Sequence, residues 1–246
     1  MNQRTALVTG ASKGIGLEIA RQLAEAGVHV LVTGRNQTRV WEATKSLSDE
    51  GLSVTPVVLD VTDDATFVDA CRHLDEHNDG RLDILINNAA IRIEPYGRSP
   101  SQQSLANWQT TFTTNLFGAV RVTQEFLPYL LRSSAGRIVN VSSLLASLDR
   151  HSDRTSYTYS DTFKSLPAYS ASKTALNSWT VHLAYELRDT PIKVNAAHPG
   201  YTRTDLNDGE GDLEPAEAAQ TAVRLALLDK AGPTGSFVTG KTSLPW

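Results

Sequence analysis

A short apolar run over residues 6–9 passes straight into Gly10-Ala11-Ser12-Lys13-Gly14-Ile15-Gly16 and then into an amphipathic stretch over 16–26. A strand, a glycine turn and a helix in that order leave few folds open. Glycine tolerates positive φ and lets backbone N–H groups approach an anion, while the helix that starts there points its positive dipole end at the same place. That arrangement suits the phosphates of a dinucleotide. Glycines between a strand and a helix also serve as plain turn chemistry, so the reading depends on what surrounds them.

The surroundings repeat the pattern. Strand-like runs at 28–33 and 54–59 alternate with helical periodicity at 40–50 and 65–78. The second half continues with Ile84–Asn87, a helix over about 102–131, Arg137–Val141, a helix from about 167 to 188, and Lys193–Ala197. Continuous apolar runs such as Ile84-Leu85-Ile86 and Ile138-Val139 fit strands covered on both faces. The pattern predicts an α/β fold: a Rossmann-type doubly wound parallel sheet of about seven strands with helices on both faces. One domain spanning 1–246 accounts for the length, with no linker, repeat or low-complexity tract. Two polar, irregular segments, 144–166 and 205–214, follow strands directly. Ligands of open α/β sheets bind at that edge.

Charge and cysteine content narrow the partners. The chain carries 23 basic and 27 acidic side chains, a net charge of −4 and a pI near 5.9. No basic cluster argues for nucleic acid or an anionic membrane, so small molecules are the expected partners. Cys71 is the single cysteine, which excludes an intrachain disulfide and suits a reducing, cytoplasmic location. Met1-Asn2-Gln3-Arg4 runs directly into the first strand, leaving no room for a cleaved signal, and no apolar run approaches the ~18 residues of a membrane span.

The chemistry-bearing residues lie downstream, where Tyr169-Ser170-Ala171-Ser172-Lys173 follows Ser142-Ser143. Tyrosine and lysine four residues apart share a helix face, so the ammonium can favour the phenolate and make the phenol a better proton donor. A carbonyl accepting hydride builds negative charge on oxygen, which prearranged hydroxyl donors stabilise. Reversible carbonyl reduction is the chemistry suggested. The cofactor form is read at the second strand, which ends Val32-Thr33-Gly34-Arg35 with no acid to bind a ribose 2′-hydroxyl. Arg35 and Lys13 can instead reach a 2′-phosphate, favouring NADP(H).

From Ala6 to Trp246 these motifs resemble the short-chain dehydrogenase/reductase family. Thr9–Gly16 is similar to its glycine motif, contributing Gly10, Ser12, Lys13, Gly14, Ile15 and Gly16. Asp60-Val61 is similar to its segment with an acidic residue after the third strand, implied to hold the adenine. Asn87-Asn88-Ala89-Ala90 matches its Asn-Asn-Ala-Gly motif except at Ala90, with Asn88 and Ala89 implied to line the adenosine ribose and the backbone there expected to be slightly displaced. The resemblance implies Ser143, rather than Ser142, as the serine that orients the carbonyl. It implies Tyr169 as the proton donor, and Lys173 as the group that bonds the nicotinamide ribose and lowers the tyrosine's pKa. Asn115 is implied to hold a water linking Lys173 to solvent. Pro199, Gly200, Thr202 and Thr204 correspond to the segment that brackets the nicotinamide.

Within the family the chain resembles NADPH-dependent carbonyl reductases, a group that includes plant terpenoid and alkaloid ketone reductases. His198–Asp205 and Gly232–Val238 carry that likeness. Tyr169 lies 26 positions after Ser143, more than the usual spacing. The insertion, 144–168, either walls the substrate pocket or covers a face used for oligomers, and monomer, dimer and tetramer all stay open. Segment 203–216 reads either as a lid over the substrate or as a plain flexible loop. Six histidines show no metal-ligand set, with His73 and His77 read as a solvated helix face, and no metal is expected. Ser143 lacks the Gly-x-Ser-x-Gly elbow of a hydrolase. Trp41, Trp108, Trp179 and Trp246 read as packing residues. The alternative to catalysis is a nucleotide-binding redox sensor or scaffold on the same fold, which would not need Asn115, Ser143, Tyr169 and Lys173 together.

Overall fold

The computed structural model describes residues 3–77 and 79–246; Asn78, the expected end of one helix, lies outside them. The strands are β1 (Thr5–Val8), β2 (His29–Gly34), β3 (Val54–Val58), β4 (Ile84–Asn87), β5 (Arg137–Val141), β6 (Lys193–Ala197), β7 (Ser236–Thr239) and β8 (Thr242–Ser243). They form one sheet in the order β3-β2-β1-β4-β5-β6-β7-β8, parallel up to β7 with β8 antiparallel. The order reverses between β1 and β4, and that switch point opens a crevice at the carboxyl ends of the strands.

The connections are α1 (Gly14–Glu25), α2 (Gln37–Asp49), α3 (Val68–His77), and the pair α4 (Leu105–Phe112) and α5 (Ala119–Leu130). Two single-turn helices, α6 (Leu148–Ser152) and α7 (Asp161–Lys164), precede α8 (Pro167–Glu186), and α9 (Pro215–Ala226) leads to β7. Alternation along the strands divides the core between the two faces. Val8, Val30, Ile84 and Val139 pack against Ile19 and Leu23 of α1, Leu47 of α2 and Leu225 of α9. Leu7, Leu31, Leu85 and Ile138 pack against Leu74 of α3, Phe126 of α5 and Leu183 of α8. Each of these large side chains is fully buried, and each such burial is worth about 1.5–3 kcal/mol.

Several expectations need correction. The sheet has eight strands rather than about seven, because the chain reverses at Gly240 (φ +52°) into a two-residue strand too short to show alternation. The long helix expected over 102–131 is broken. Ser104 accepts the Asn107 N–H and starts α4, and a π-helical turn over Thr113–Gly118 separates α4 from α5. Gly118 sits within that turn against Val61, where a Cβ would lie 2.7 Å from the valine side chain. α9 escaped the sequence reading although Glu214 and Glu217 form a capping box with Pro215 at the first position. His73 stacks on His29 with ring centroids 5.8 Å apart instead of facing water alone. Trp41 is exposed rather than packed, whereas Trp246, though partly exposed, stacks on the buried Phe237 with ring centroids 5.8 Å apart.

Candidate active site

A cavity of about 910 Å³ runs along the carboxyl ends of the strands from the glycine turn to the segment after β6. Its floor is built where β1 and β4 end side by side. Thr9 Oγ1 accepts the N–H groups of Asn88 and Ala89 at 2.9 and 3.0 Å, and Asn88 Nδ2 donates to the carbonyls of Thr9 and Gly10 at 2.9 and 3.1 Å. Asn88 therefore braces the glycine turn as well as lining the cavity. A Cβ on Gly16 would lie 2.4 Å from both Asn88 Nδ2 and the Gly10 carbonyl, so only glycine fits there. Ala90 has no positive φ, and alanine stands where the family usually has glycine without backbone strain.

Every residue expected to bind the cofactor lines this one cavity: Gly10, Ser12, Lys13, Gly14, Ile15, Gly16, Arg35, Asp60, Val61, Asn88, Ala89, Tyr169, Lys173, Pro199, Gly200, Thr202 and Thr204. Asp60 is held by its own turn, accepting from the backbone and hydroxyl of Thr62 at 2.9 and 2.8 Å. Arg39 was not anticipated. It follows Arg35 at helical distance because Asn36 caps α2 by accepting the Arg39 N–H at 3.0 Å, and both arginines are exposed at the cavity's edge. Lys13 is ion-paired with Asp205, across the cavity mouth. A glycine cradle with a helix start behind it fits the phosphates of a dinucleotide.

The proton-handling residues meet on the opposite wall. Ser142 turns into the core, donating to Asn177 Oδ1 at 2.7 Å, whereas Ser143 lines the cavity with Tyr169 and accepts the Leu145 N–H at 3.2 Å. The two serines thus face different surroundings. Tyr169 and Lys173 are both buried, and Lys173 Nζ donates to the Val141 carbonyl at 2.7 Å, 5.9 Å from the Tyr169 ring centre. The electrostatics differ from the expectation. Burial pushes the Tyr169 phenol up to about 12, with the Ser143 hydroxyl and the Arg92 charge opposing it, and burial pulls the Lys173 ammonium down to about 8. Desolvation outweighs any help from the neighbouring cation, so Tyr169 stands as a protonated donor near neutral pH.

Asn115 does not line the cavity; it stands behind it. From the π turn its Oδ1 accepts the Ile91 N–H at 2.8 Å, and its Nδ2 donates to the Ile91 carbonyl at 2.9 Å and to Ser172 Oγ at 3.0 Å. The mid-helix asparagine thus ties the loop after β4 to α8. π turns commonly occur at functional positions.

A third, small apolar cluster surrounds Tyr169: Leu145 and Leu166, with Phe163 and Leu206 packed against them. The insertion also brings Tyr157, whose hydroxyl lies 3.4 Å from His198 Nε2 and whose ring stacks with Tyr201 at 6.3 Å. His198 accepts the Leu144 N–H at 3.1 Å, and burial pulls its imidazole down to about 4. It is a neutral wall residue. The segment 203–216 is tied down at several points. Arg92 donates to the Leu206 carbonyl and to Asp208, both at 2.7 Å, and Asn207 donates to the Thr202 carbonyl at 2.8 Å.

Comparison with known proteins follows the same lines. Residues 4–214 match the short chain dehydrogenase family model. The chain belongs to the short-chain dehydrogenase family. It is 35% identical to (-)-isopiperitenone reductase of Mentha piperita, an alignment covering 96% of each chain. The structure of salutaridine reductase from Papaver somniferum superposes with a TM-score of 0.82 at 30% identity, covering 96% of this chain and 99% of that one. NADPH-bound carbonyl reductase from chicken fatty liver gives a TM-score of 0.84 at 27% identity, covering 100% and 95%. This short-chain dehydrogenase is accordingly an oxidoreductase of a family that uses NAD(P)(H). Among its described residues no helix is long and apolar enough to cross a membrane.

Proposed function

We propose that this short-chain dehydrogenase is an NADPH-dependent carbonyl reductase acting on a ketone or aldehyde with a largely apolar body, with Tyr169 as proton donor. The observation that carries the reading is the gathering of Ser143, Tyr169 and Lys173 on the wall of one cavity, with the tyrosine and the lysine both buried. The preference for NADPH rests on Arg35 after β2, Arg39 in the first turn of α2 and Lys13 in the glycine turn, all lining the cavity, and on the lack of an acid at the end of β2. The apolar body is supported by Leu145, Phe163, Leu166 and Leu206 around the phenol and by the likeness to (-)-isopiperitenone reductase and salutaridine reductase.

Lys13, Arg35 and Arg39 would hold the 2′-phosphate, the Gly10–Gly16 turn the pyrophosphate, and Lys173, Thr202 and Thr204 the nicotinamide half. When bound, the reduced cofactor supplies hydride to the carbonyl carbon. Ser143 and Tyr169, which both line the cavity, would supply the hydroxyls that stabilise the charge developing on the carbonyl oxygen. Tyr169 then gives up its proton to that oxygen. Its high folded pKa keeps the proton in place until negative charge builds on the acceptor, and it also makes alcohol oxidation, which needs the phenolate, favoured by alkaline pH. The segments 144–168 and 203–216 serve as pocket wall and lid, excluding water from the reacting groups.

Tyr169→Phe tests the assignment. NADPH binding should persist while turnover with a panel of ketones and aldehydes drops by about 10²–10⁴. Turnover comparable to the parent enzyme removes Tyr169 as the acid.

A further inference from the structure

The helix that carries both Tyr169 and Lys173 starts without a local cap. Leu166 occupies the N-cap position of α8 and offers no side-chain acceptor, and Pro167 at the first position has no N–H. The next two donors, the N–H groups of Ala168 and Tyr169, are the orphans of this helix start, since the Ser170 N–H already reaches the Leu166 carbonyl at 3.0 Å. A leucine is present at the cap because its side chain is spent on the apolar cluster around Tyr169. The acceptor comes from elsewhere in the chain. Glu94, in the loop after β4, places Oε1 2.7 Å from the Ala168 nitrogen and Oε2 2.7 Å from the Tyr169 nitrogen.

Glu94 is 1% exposed and does not line the cavity. Its loop is fastened at both ends to the same neighbourhood. Asn115 takes both backbone groups of Ile91, Arg92 Nη1 donates to the Glu94 carbonyl at 3.1 Å, and the Gly97 N–H reaches Ser165 Oγ at 3.2 Å. A carboxylate is costly to bury unless each oxygen is engaged, and this one is engaged by two backbone donors at the positive end of a helix.

We infer that Glu94 is a positioning residue for catalysis: its carboxylate, supplied across the fold, caps α8 and fixes the backbone of Tyr169 so that the phenol meets the substrate oxygen. The inference rests on the reading of Tyr169 as the acid. Because one of the two capped amides is that of Tyr169 itself, a shift in the cap moves the proton donor directly. Small misplacements of a donor are expensive in rate and cheap in cofactor affinity.

Glu94→Gln keeps the shape but offers one acceptor oxygen and turns an NH2 toward the second backbone N–H. We expect kcat per NADPH-binding site to fall by about tenfold or more while Kd for NADPH stays within about threefold, and amide exchange over 167–171 to quicken. If Glu94→Gln does not fold, Glu94→Asp, which keeps the charge but shortens the reach, should show the same split to a lesser degree. An unchanged kcat per binding site, with only the melting temperature lowered or the exchange faster, makes Glu94 a structural cap alone and overturns the inference. Tyr169→Phe run beside it separates the two ideas. An inactive phenylalanine variant beside a fully active Glu94→Gln enzyme sinks only the role of Glu94, whereas an active phenylalanine variant sinks the acid assignment.

Discussion

Arg35 offers the most direct test of cofactor choice. It lies at the end of β2, exposed beside Arg39 on the cavity edge, at the position where a ribose-binding acid would select NADH. In Arg35→Asp, the charge-assisted contact to a 2′-phosphate is lost, worth about 1.5–3 kcal/mol. A carboxylate now stands near that phosphate, adding roughly 1 kcal/mol of repulsion per charge at ~4 Å in a water-like medium. Because the site is exposed, the lower part of the range applies, and the sum is about 3 kcal/mol, or roughly 10² in Kd. NADH loses nothing, since the new carboxylate can accept its 2′-hydroxyl. Titration calorimetry with both nucleotides measures the two constants. Repeating it at higher salt should shrink the parent enzyme's preference for NADPH, as the screening length falls from about 10 Å at 0.1 M to about 3 Å at 1 M. Equal weakening of both nucleotides, or NADPH affinity within threefold of the parent, would refute the assignment of Arg35 to the phosphate.

Two further outcomes are expected. Gly16→Ala should cost about 1–3 kcal/mol of stability in urea unfolding, because the added methyl meets Asn88 Nδ2 and the Gly10 carbonyl at 2.4 Å and the turn cannot open without breaking the Asn88 contacts. Lys173, whose ammonium burial pulls from 10.5 to about 8, makes the cofactor-free protein gain stability as pH rises between those values, because in that window the unfolded chain still holds the proton the folded chain has released. Melting curves from pH 8 to 10.5 should therefore rise for the parent relative to Lys173→Met, and parallel curves would show that the lysine is not desolvated.

How far the sequence could be read depends on the range of the interactions involved. β4, β5 and β6 fall where the apolar runs place them, and α8 starts at Pro167, because short buried strands and a proline first turn are written locally. The glycine turn is legible for the same reason: the constraint at Gly16 is a backbone contact that any side chain would violate. The substrate side follows other rules. The break between α4 and α5 reflects Asn115 reaching Ile91 and Ser172, a set of partners that periodicity cannot display. The high pKa of Tyr169 has the same origin, since it is made by burial against Phe163 and Leu206, which approach from two different segments. Glu94 left only a faint signal, a leucine before Pro167 where a capping residue belongs. The nucleotide half of such a site is thus encoded in consecutive residues, and the substrate half in contacts between segments far apart in the chain. Cofactor class can be carried from one member of the family to another by motif, whereas substrate choice has to be argued from the packing of 144–168 and 203–216 in each chain.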